Sequence, residues 1–258
     1  MPQKKKIKTT VVSQNEIAKQ IYDLWLETEL ALDAHPGQFV AVYPKNAATL
    51  LPRPISICET DRDRGRLRLV YRIAGKGTKE FSSYQPGDEV SVLGVLGNGF
   101  PLEKAEGKRV FLMGGGIGIP PMLQLAKELR AEKQIIVGYR DRDLFLQEDL
   151  RQNGVLYIAT EDGSVGSRGN VMDAIRENGL TADVIMACGP MPMLRAIKQY
   201  AAEKGIEAYI SLEERMACGV GACLGCVCLT KEVDHHSHVH NARICTDGPV
   251  FEANEVEI

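Results

Sequence analysis

The sequence lacks three features that would each assign it to a large class of proteins. It has no apolar run long enough to span a membrane, and no apolar stretch follows the lysines at positions 4–6, so we expect neither a transmembrane segment nor a signal peptide. Its net charge of -3 gives no general reason to expect nucleic acid or an anionic membrane as a partner. No Ser/His/Asp or paired-carboxylate arrangement stands out, and we therefore assign no catalytic residue. We expect a cytoplasmic protein.

Cysteine is present in a number that does not suggest disulfides. The chain has seven cysteines in 258 residues, and this odd number argues for reduced thiols and metal ligation over a disulfide framework. A hydrophobic content of 44% is sufficient for real cores, and the length allows one large domain or two to three small ones.

Four of the cysteines have a spacing typical of one kind of metal site. Cys218, Cys223 and Cys226 form a CxxxxCxxC pattern, and Cys245 follows later, which is the arrangement of plant-type [2Fe-2S] ligation. Small residues between the first three cysteines would let backbone N–H groups approach the sulfur atoms. A zinc site is the alternative, but zinc usually takes two closely spaced Cys or His pairs. The spacing therefore predicts a [2Fe-2S] cluster held on a loop.

The pattern of the chain changes twice. In residues 1–102, short β-type runs at 38–43, 66–71 and 89–93 alternate with turn clusters at 35–37, 61–65 and 85–88, which predicts an antiparallel β-barrel. Residues 103–210 alternate strand-like runs with helix-like stretches, which predicts a parallel sheet with crossover helices. Residues 211–258 carry the cysteine motif. We expect a multi-domain fold of a barrel domain, an α/β domain and a small C-terminal cluster domain.

Two strand ends in the α/β region indicate a nucleotide site. The strand-like run 109–113 leads into the loop GGGIG at 114–118, with a helix expected from Pro120 to about residue 131, and such a loop can cradle phosphate. Ile119 stands where the GxGxxG fingerprint needs glycine, so an ordinary tight turn remains the alternative. The run 184–187 also ends before a helix, at Cys188. Two such ends on one parallel sheet would define a ligand crevice.

The barrel region contains groups that would suit a diphosphate and an isoalloxazine ring. Arg53 and Ser56 put a guanidinium and a hydroxyl on one strand, Arg72 ends another, and a turn at 75–78 contains Gly77 and Thr78. For any single piece, a solvated arginine or an ordinary turn is the competing interpretation.

Redox chemistry links the three regions. Nicotinamide gives up two electrons as a hydride, a [2Fe-2S] cluster accepts one at a time, and flavin can do both. The combination therefore predicts electron transfer between NAD(P)H, a flavin and an iron–sulfur cluster.

Several segments resemble known families. RPIS at 53–56, GKGT at 75–78, GGGIGIPP at 114–121 and CGPMPM at 188–193 resemble the ferredoxin reductase family of flavoproteins. The segment EERMACGVGACLGCVC at 213–228, with CTDGPVF at 245–251, closely resembles the electron-transfer subunits of type B dihydroorotate dehydrogenases. This resemblance implies FAD in the barrel, NAD(H) as substrate at the α/β domain, and a [2Fe-2S] cluster. It further implies a separate FMN-containing catalytic subunit that oxidises dihydroorotate to orotate in pyrimidine synthesis, in a heterotetramer with two copies of each chain.

The resemblance also implies roles for individual residues. The flavin and its diphosphate would be held by Arg53, Pro54, Ile55, Ser56, Val70, Tyr71, Arg72, Gly77 and Thr78. The nicotinamide nucleotide would lie against Gly115, Gly116, Gly118, Cys188, Gly189 and Pro190. The irons would be bound by Cys218, Cys223, Cys226 and Cys245.

Some residues and functions remain open at this point. Cys58 is expected in the barrel core, and Cys228 would share a strand face with Cys226, although the family spacing selects Cys226 as the ligand. Four histidines lie close together at His235, His236, His238 and His240. We expect them in a loop between two strands of the cluster domain, and adventitious metal binding is the alternative. Alternative functions are a subunit of another NAD(P)H-linked complex, such as a ferredoxin-NADP reductase, sulfide dehydrogenase or hydrogenase, and a regulatory module that senses redox state.

Overall fold

The first part of the chain forms a closed antiparallel barrel. The computed structural model describes residues 4–234 and 238–258. The barrel strands are β1 (Lys5–Ala18), β2 (Ile21–Glu27), β3 (Phe39–Tyr43), β4 (Arg53–Asp61), β5 (Arg66–Arg72) and β6 (Glu89–Leu96), in the spatial order β1-β2-β5-β4-β3-β6. Each predicted turn cluster holds a glycine with positive φ, at Gly37 (+93°), Gly65 (+62°) and Gly87 (+91°), which other residues rarely adopt. The predicted barrel is confirmed.

The barrel core follows from the alternation of its strands. In β5, Leu67 and Leu69 are fully buried, whereas Arg66 and Arg68, which alternate with them, are partly exposed, so one face of the strand points inward. The short helix α1 (Lys76–Phe81) adds Phe81 to this core, edge-on to Tyr71 with ring centroids 6.0 Å apart.

A mostly parallel sheet follows the barrel. Its strands are β7 (Arg109–Gly115), β8 (Glu132–Tyr139), β9 (Val155–Thr160), β10 (Ser167–Arg168), β11 (Val184–Cys188) and β12 (Glu207–Ser211), with the helices α2 (Pro120–Glu128), α3 (Gln147–Arg151), α4 (Val171–Glu177) and α5 (Met191–Lys204). Along β7, Val110 and Leu112 enter one core while Phe111 and Met113 enter the other. The sheet is therefore buried on both faces, as a crossover topology requires. Helix α2 ends three residues before the predicted end, because Leu129 turns to an extended conformation and is buried.

The cysteine region is interleaved with this sheet. The strands β13 (Val227–Thr230), β14 (Asn241–Arg243) and β16 (Val256–Glu257) form a small sheet in the order β14-β13-β16. The strand β15 (Val250–Glu252) instead pairs antiparallel with β12 and completes the larger sheet, in the order β10-β9-β8-β7-β11-β12-β15. The domain boundary expected after residue 210 stays a prediction. Strand β15 lies beyond this boundary in sequence, yet it pairs with β12 in the sheet of the α/β unit.

The described residues around the histidine patch lie between β13 and β14. His238 and His240 are exposed, and His240 Nδ1 lies 3.0 Å from the carbonyl oxygen of Lys231. His235 and His236 lie outside the described residues.

One prediction about the core needs correction. Cys58 is fully buried, as expected of a small apolar side chain, but it does not belong to the barrel core. It packs in the core shared with the α/β unit, among Val110, Ile119 and Met122, because its position on β4 faces helix α2.

No helix in the described part of the chain combines enough length with enough apolar character to cross a membrane.

Candidate functional site

The cysteine loop is wrapped so that its amides point at sulfur. Between β12 and β13 the chain forms bends and turns, with Gly219 and Gly221 at φ +68° and +80°. The amide of Val220 donates to Cys218 Sγ at 3.4 Å, and the amide of Gly221 donates to Cys245 Sγ at 3.2 Å. Because N–H groups stabilise charged sulfur, this loop suits thiolates that bind metal.

The four predicted ligands come together as two pairs. Cys218 and Cys223 share a side-chain hydrogen bond, and Cys226 and Cys245 share another. Burial opposes ionisation of Cys218, but backbone N–H groups, first that of Val220, lower its pKa to about 6. Burial raises the pKa of Cys226 to about 12; the backbone N–H of Cys245 opposes this rise, and the Cys245 side chain adds to it. The described residues do not gather three His, Cys, Asp or Glu side chains around one ion. Two thiol pairs fit two irons with two thiolates each.

The predicted flavin residues on β4 and α1 are brought into contact. A Cβ on Gly77 would lie 2.7 Å from Arg53 Nε, so the guanidinium lies directly on this glycine. Thr78 Oγ1 accepts hydrogen bonds from the amides of Ala74 at 2.8 Å and Gly75 at 3.1 Å, which fixes the turn. A guanidinium beside a fixed turn is suited to a diphosphate.

The other predicted flavin residues differ in how exposed their side chains are. The side chains of Val70 and Tyr71 are buried in two separate cores, so neither side chain is exposed for contact with a flavin. Arg72 is exposed and Ser56 is partly buried. Because β4 and β5 run antiparallel, with Ile57 opposite Leu69, the start of β4 and the end of β5 lie side by side. Arg53 and Arg72 are therefore carried by neighbouring strand ends.

The two strand ends of the predicted crevice are adjacent. Cys188 at the end of β11 pairs with Gly114 near the end of β7. A Cβ on Gly118 would lie 2.3 Å from the Cys188 carbonyl oxygen, and one on Gly115 would lie 2.5 Å from Met193 Sδ. These two glycines let the loop and the β11–α5 turn pack together. Gly116 differs, because it has φ +53° with open space at its Cβ position, so it is the glycine that a nucleotide could approach.

A carboxylate that the sequence analysis missed lies where the barrel and the sheet meet. Cys188 hydrogen-bonds through its side chain with Ser211 at the end of β12, and it also interacts with Glu213. Burial raises the pKa of Glu213, and Arg72 of the barrel opposes this shift. Burial, followed by the charge of Glu213, raises the pKa of Cys188. Only the position of Ser211 and Glu213 at the end of a strand next to β11 could have revealed them.

Comparison with known proteins agrees with this geometry. Residues 213–257 match the iron-sulfur cluster binding domain of dihydroorotate dehydrogenase B, and residues 7–100 match the oxidoreductase FAD-binding domain. The dihydroorotate dehydrogenase B (NAD(+)) electron transfer subunit of Geobacillus sp. (strain WCH70) is 46% identical over 96% of this chain and 96% of its own. That of Bacillus cereus (strain B4264) is 45% identical over 95% and 96%.

The chain belongs to the family of dihydroorotate dehydrogenase B electron transfer subunits. The expected FAD-binding barrel and iron–sulfur region are confirmed. The roles of the individual residues stay predictions, although the paired thiols and the Arg53–Gly77 contact fit the two groups.

Solved structures extend the comparison. The chain superimposes with a TM-score of 0.86 and 28% identity, over 96% of its length and 89% of the other, on an NADH-dependent reduced ferredoxin-NADP oxidoreductase described for flavin-based electron bifurcation. A ferredoxin NADP+ reductase from Neisseria gonorrhoeae, solved with FAD and NADP, has a TM-score of 0.67 and 17% identity over 82% and 94%. This second likeness shows the fold alone.

Proposed function

We propose that this chain carries electrons between NAD(H) and a separate FMN-containing catalytic subunit that interconverts dihydroorotate and orotate. The observation that supports it most is the convergence of two cysteine pairs, of which Cys223 is exposed and Cys226 and Cys245 are buried. They lie next to a barrel whose β5 end interacts with the nucleotide crevice through Arg72 and Glu213. FAD supplies the exchange between one hydride and two single electrons that such a chain needs.

The residues of the chain would divide the work by position. Arg53, Thr78 and Arg72 would bind the diphosphate and orient the flavin, with Gly77 allowing the Arg53 guanidinium to lie flat. The carboxyl ends of β7 and β11 would receive the nicotinamide nucleotide, in the usual place for ligands of parallel sheets. Buried Cys188 would close the floor of this crevice against water.

The partner would dock on an apolar surface at the cysteine loop. We define the cluster face as Val220, Cys223, Leu224 and Val227, which are all exposed on or beside this loop. The exposed fractions are 41% for Val220, 47% for Leu224 and 38% for Val227, so a hydrophobic contact is available around the thiols. Burying this face would also shield a cluster from solvent and so tune its potential.

A single substitution tests the docking face. Leu224→Asp should weaken association with the catalytic subunit while iron and FAD stay bound. Leu224 has φ +54°, which aspartate tolerates better than leucine, so the fold is not penalised. Leu32→Asp is the matched control, because Leu32 is 58% exposed and belongs to the barrel unit, between β2 and β3. Equal binding of both variants to the partner would contradict the assignment of this face.

Reconstitution tests the function itself. The purified chain should contain about one FAD and two irons, and it should pass electrons from NADH to artificial one-electron acceptors. Orotate formation from dihydroorotate should require the FMN subunit, because the two nucleotide motifs of this chain are already assigned to FAD and NADH. Zinc in place of iron, or orotate formation by the isolated chain, would overturn the proposal.

The alternative is a subunit of an NADH-linked ferredoxin-reducing complex, which the TM-score of 0.86 to the NADH-dependent reduced ferredoxin-NADP oxidoreductase favours. Reduction of ferredoxin by the isolated chain, with no stimulation of dihydroorotate turnover by the FMN subunit, would support it instead.

Nucleotide choice is a further part of the proposal. After β8 the chain carries Arg140, Asp141, Arg142 and Asp143, a mixed set at the place where an adenosine ribose tends to lie. Asp143 accepts from the amide of Lys19 at 2.8 Å, and Asp141 accepts from the amide of Asp143 at 2.9 Å. NADH is proposed because the relatives are named NAD(+)-dependent. A kcat/KM for NADPH at least equal to that for NADH would refute it.

Assembly and location complete the proposal. We place two copies of this chain with two of the catalytic subunit, a stoichiometry that light scattering of the complex would measure. We also place the protein in the cytoplasm, whose reducing conditions match the seven free thiols.

A further inference from the structure

One asparagine joins the barrel to the cysteine region. Asn98 follows β6, and its backbone amide donates to the Gly248 carbonyl oxygen at 2.6 Å. Its side-chain Nδ2 donates to the carbonyl oxygens of Asp247 at 3.1 Å and Val250 at 2.8 Å. Its Oδ1 accepts from the amide of Val250 at 2.9 Å. One carboxamide thus makes three hydrogen bonds to a segment about 150 positions away in sequence.

The held segment leads directly to the fourth predicted ligand. The carboxylate of Asp247 accepts from the backbone amide of Arg243 at 2.8 Å and from its guanidinium at 2.9 Å through each oxygen. Cys245 lies in the turn that this ion pair closes. Displacing the Asp247 carbonyl would therefore displace Cys245.

The end of β6 also supports the other cysteine segment. A Cβ on Gly219, next to Cys218, would lie 3.2 Å from Leu96 Cδ1. A Cβ on Gly97 would lie 2.5 Å from Pro249 Cδ, so the barrel backbone and the second segment are in direct contact. Both ligand-bearing segments consequently rest on one strand end.

This strand end is close to the predicted flavin residues. Ser56 of β4 pairs with Phe39 of β3, and Phe39 pairs with Leu96 of β6. Two strand spacings of about 4.8 Å put Ser56 and Leu96 roughly 10 Å apart. The distance from flavin to cluster is therefore controlled by how firmly the cysteine region is fixed to the end of β6.

We propose that Asn98 is a positioning residue that fixes the cluster-bearing segments on the flavin barrel and so maintains fast electron transfer between the two groups. The proposal deepens the function above and rests on it, since the distance matters only if the chain binds FAD and the cluster. According to this proposal, the segment is held by the two N–H groups of the Asn98 carboxamide, and a side chain of the same shape without these donors would not hold it.

The test is Asn98→Asp, which preserves shape. The aspartate still accepts from Val250, but its second oxygen faces the carbonyls of Asp247 and Val250, where donors are needed. Protonation at lower pH returns one donor. Asn178→Asp is the matched control, because Asn178 Nδ2 donates to the Ala174 carbonyl oxygen at 2.9 Å, away from the cysteines.

Three measurements on the purified chain are needed. Rapid mixing with NADH separates flavin bleaching from cluster reduction, and hydrogen exchange reports the opening of residues 243–252. For Asn98→Asp at pH 8.5 we expect unchanged flavin bleaching, cluster reduction slower by about tenfold, and exchange at 243–252 faster by about tenfold. Each rate is compared with that of wild type at the same pH; at pH 6 both ratios for Asn98→Asp should move towards one, while the ratios for Asn178→Asp stay near one at both pH values.

The outcomes separate this inference from the proposed function. Unchanged transfer and exchange, or a defect that does not depend on pH, would overturn the role of the Asn98 donors. If Asn98→Asp loses its iron, exchange is compared with the Cys223→Ser variant, which also lacks the cluster; equal exchange overturns the inference and faster exchange supports it. Wild-type chain without FAD or iron would refute the proposed function, and the exchange comparison would still decide whether Asn98 holds the segment.

Discussion

Replacing Arg68 by methionine should remove a buried cation that links the barrel to the α/β unit. Arg68 is only 12% exposed in its side chain. Its guanidinium donates to Asp23 at 3.0 and 2.9 Å, to Glu59 at 3.0 Å and to Asp149 at 3.1 Å. Asp23 and Glu59 belong to the barrel and Asp149 to helix α3, so the guanidinium is the shared counter-ion of three carboxylates from both units.

The expected loss follows from how deeply the partners are buried. Asp23 and Glu59 are 10% and 16% exposed, and removing one partner of a buried ion pair costs about 3–5 kcal/mol. Asp149 is 41% exposed, so its share is at most about 1 kcal/mol. Lys127 stays paired with Glu59 and offsets part of the loss. We therefore expect a decrease of about 3–5 kcal/mol in the free energy of unfolding.

Urea denaturation at pH 7 measures this decrease. Arg151→Met is the control, because the Arg151–Glu148 pair is 54% and 70% exposed and is worth about 0.5 kcal/mol or less. A loss within about 1 kcal/mol of the control would refute the argument.

Two further predictions concern the site. Gly118→Ala should lower stability by about 1–3 kcal/mol and raise the KM for NADH, because the new methyl group overlaps the Cys188 carbonyl; an unchanged KM and melting temperature would contradict this packing. Cys223→Ser should remove iron and leave FAD bound, as metal analysis and the flavin absorbance would show; loss of both groups would contradict separate sites.

The barrel and the sheet could be predicted because local rules determine them. Turn glycines such as Gly65 and Gly87 mark where strands end, and the apolar runs of β7 and β11 are long enough to indicate strands buried on both faces. The cysteine spacing is equally local, since CxxxxCxxC can fold only as a loop around its ligand. These features depend on residues within a few positions of each other.

The parts that could not be predicted depend on residues distant in sequence. A buried Cys58 is compatible with either the barrel core or the core next to it. Nothing near Cys58 in the sequence shows that helix α2 covers β4. Glu213 becomes part of the site only because β12 lies beside β11 and Arg72 approaches from the barrel. The separate roles of Gly115 and Gly116 likewise depend on whether Met193 packs against the loop.

Electron transfer explains why the cysteine region is attached to both the barrel and the sheet. A cluster region attached by a flexible linker would change its distance to the flavin continually, whereas transfer requires a fixed short separation. Strand β15 pairs with β12, and Asn98 holds the residues just before β15 against the barrel, so the turn carrying Cys245 is attached on two sides. The cysteine loop adds a third contact where Gly219 meets Leu96. Barrel, sheet and cysteines follow one another in the sequence, but the fold brings all three units together around one site.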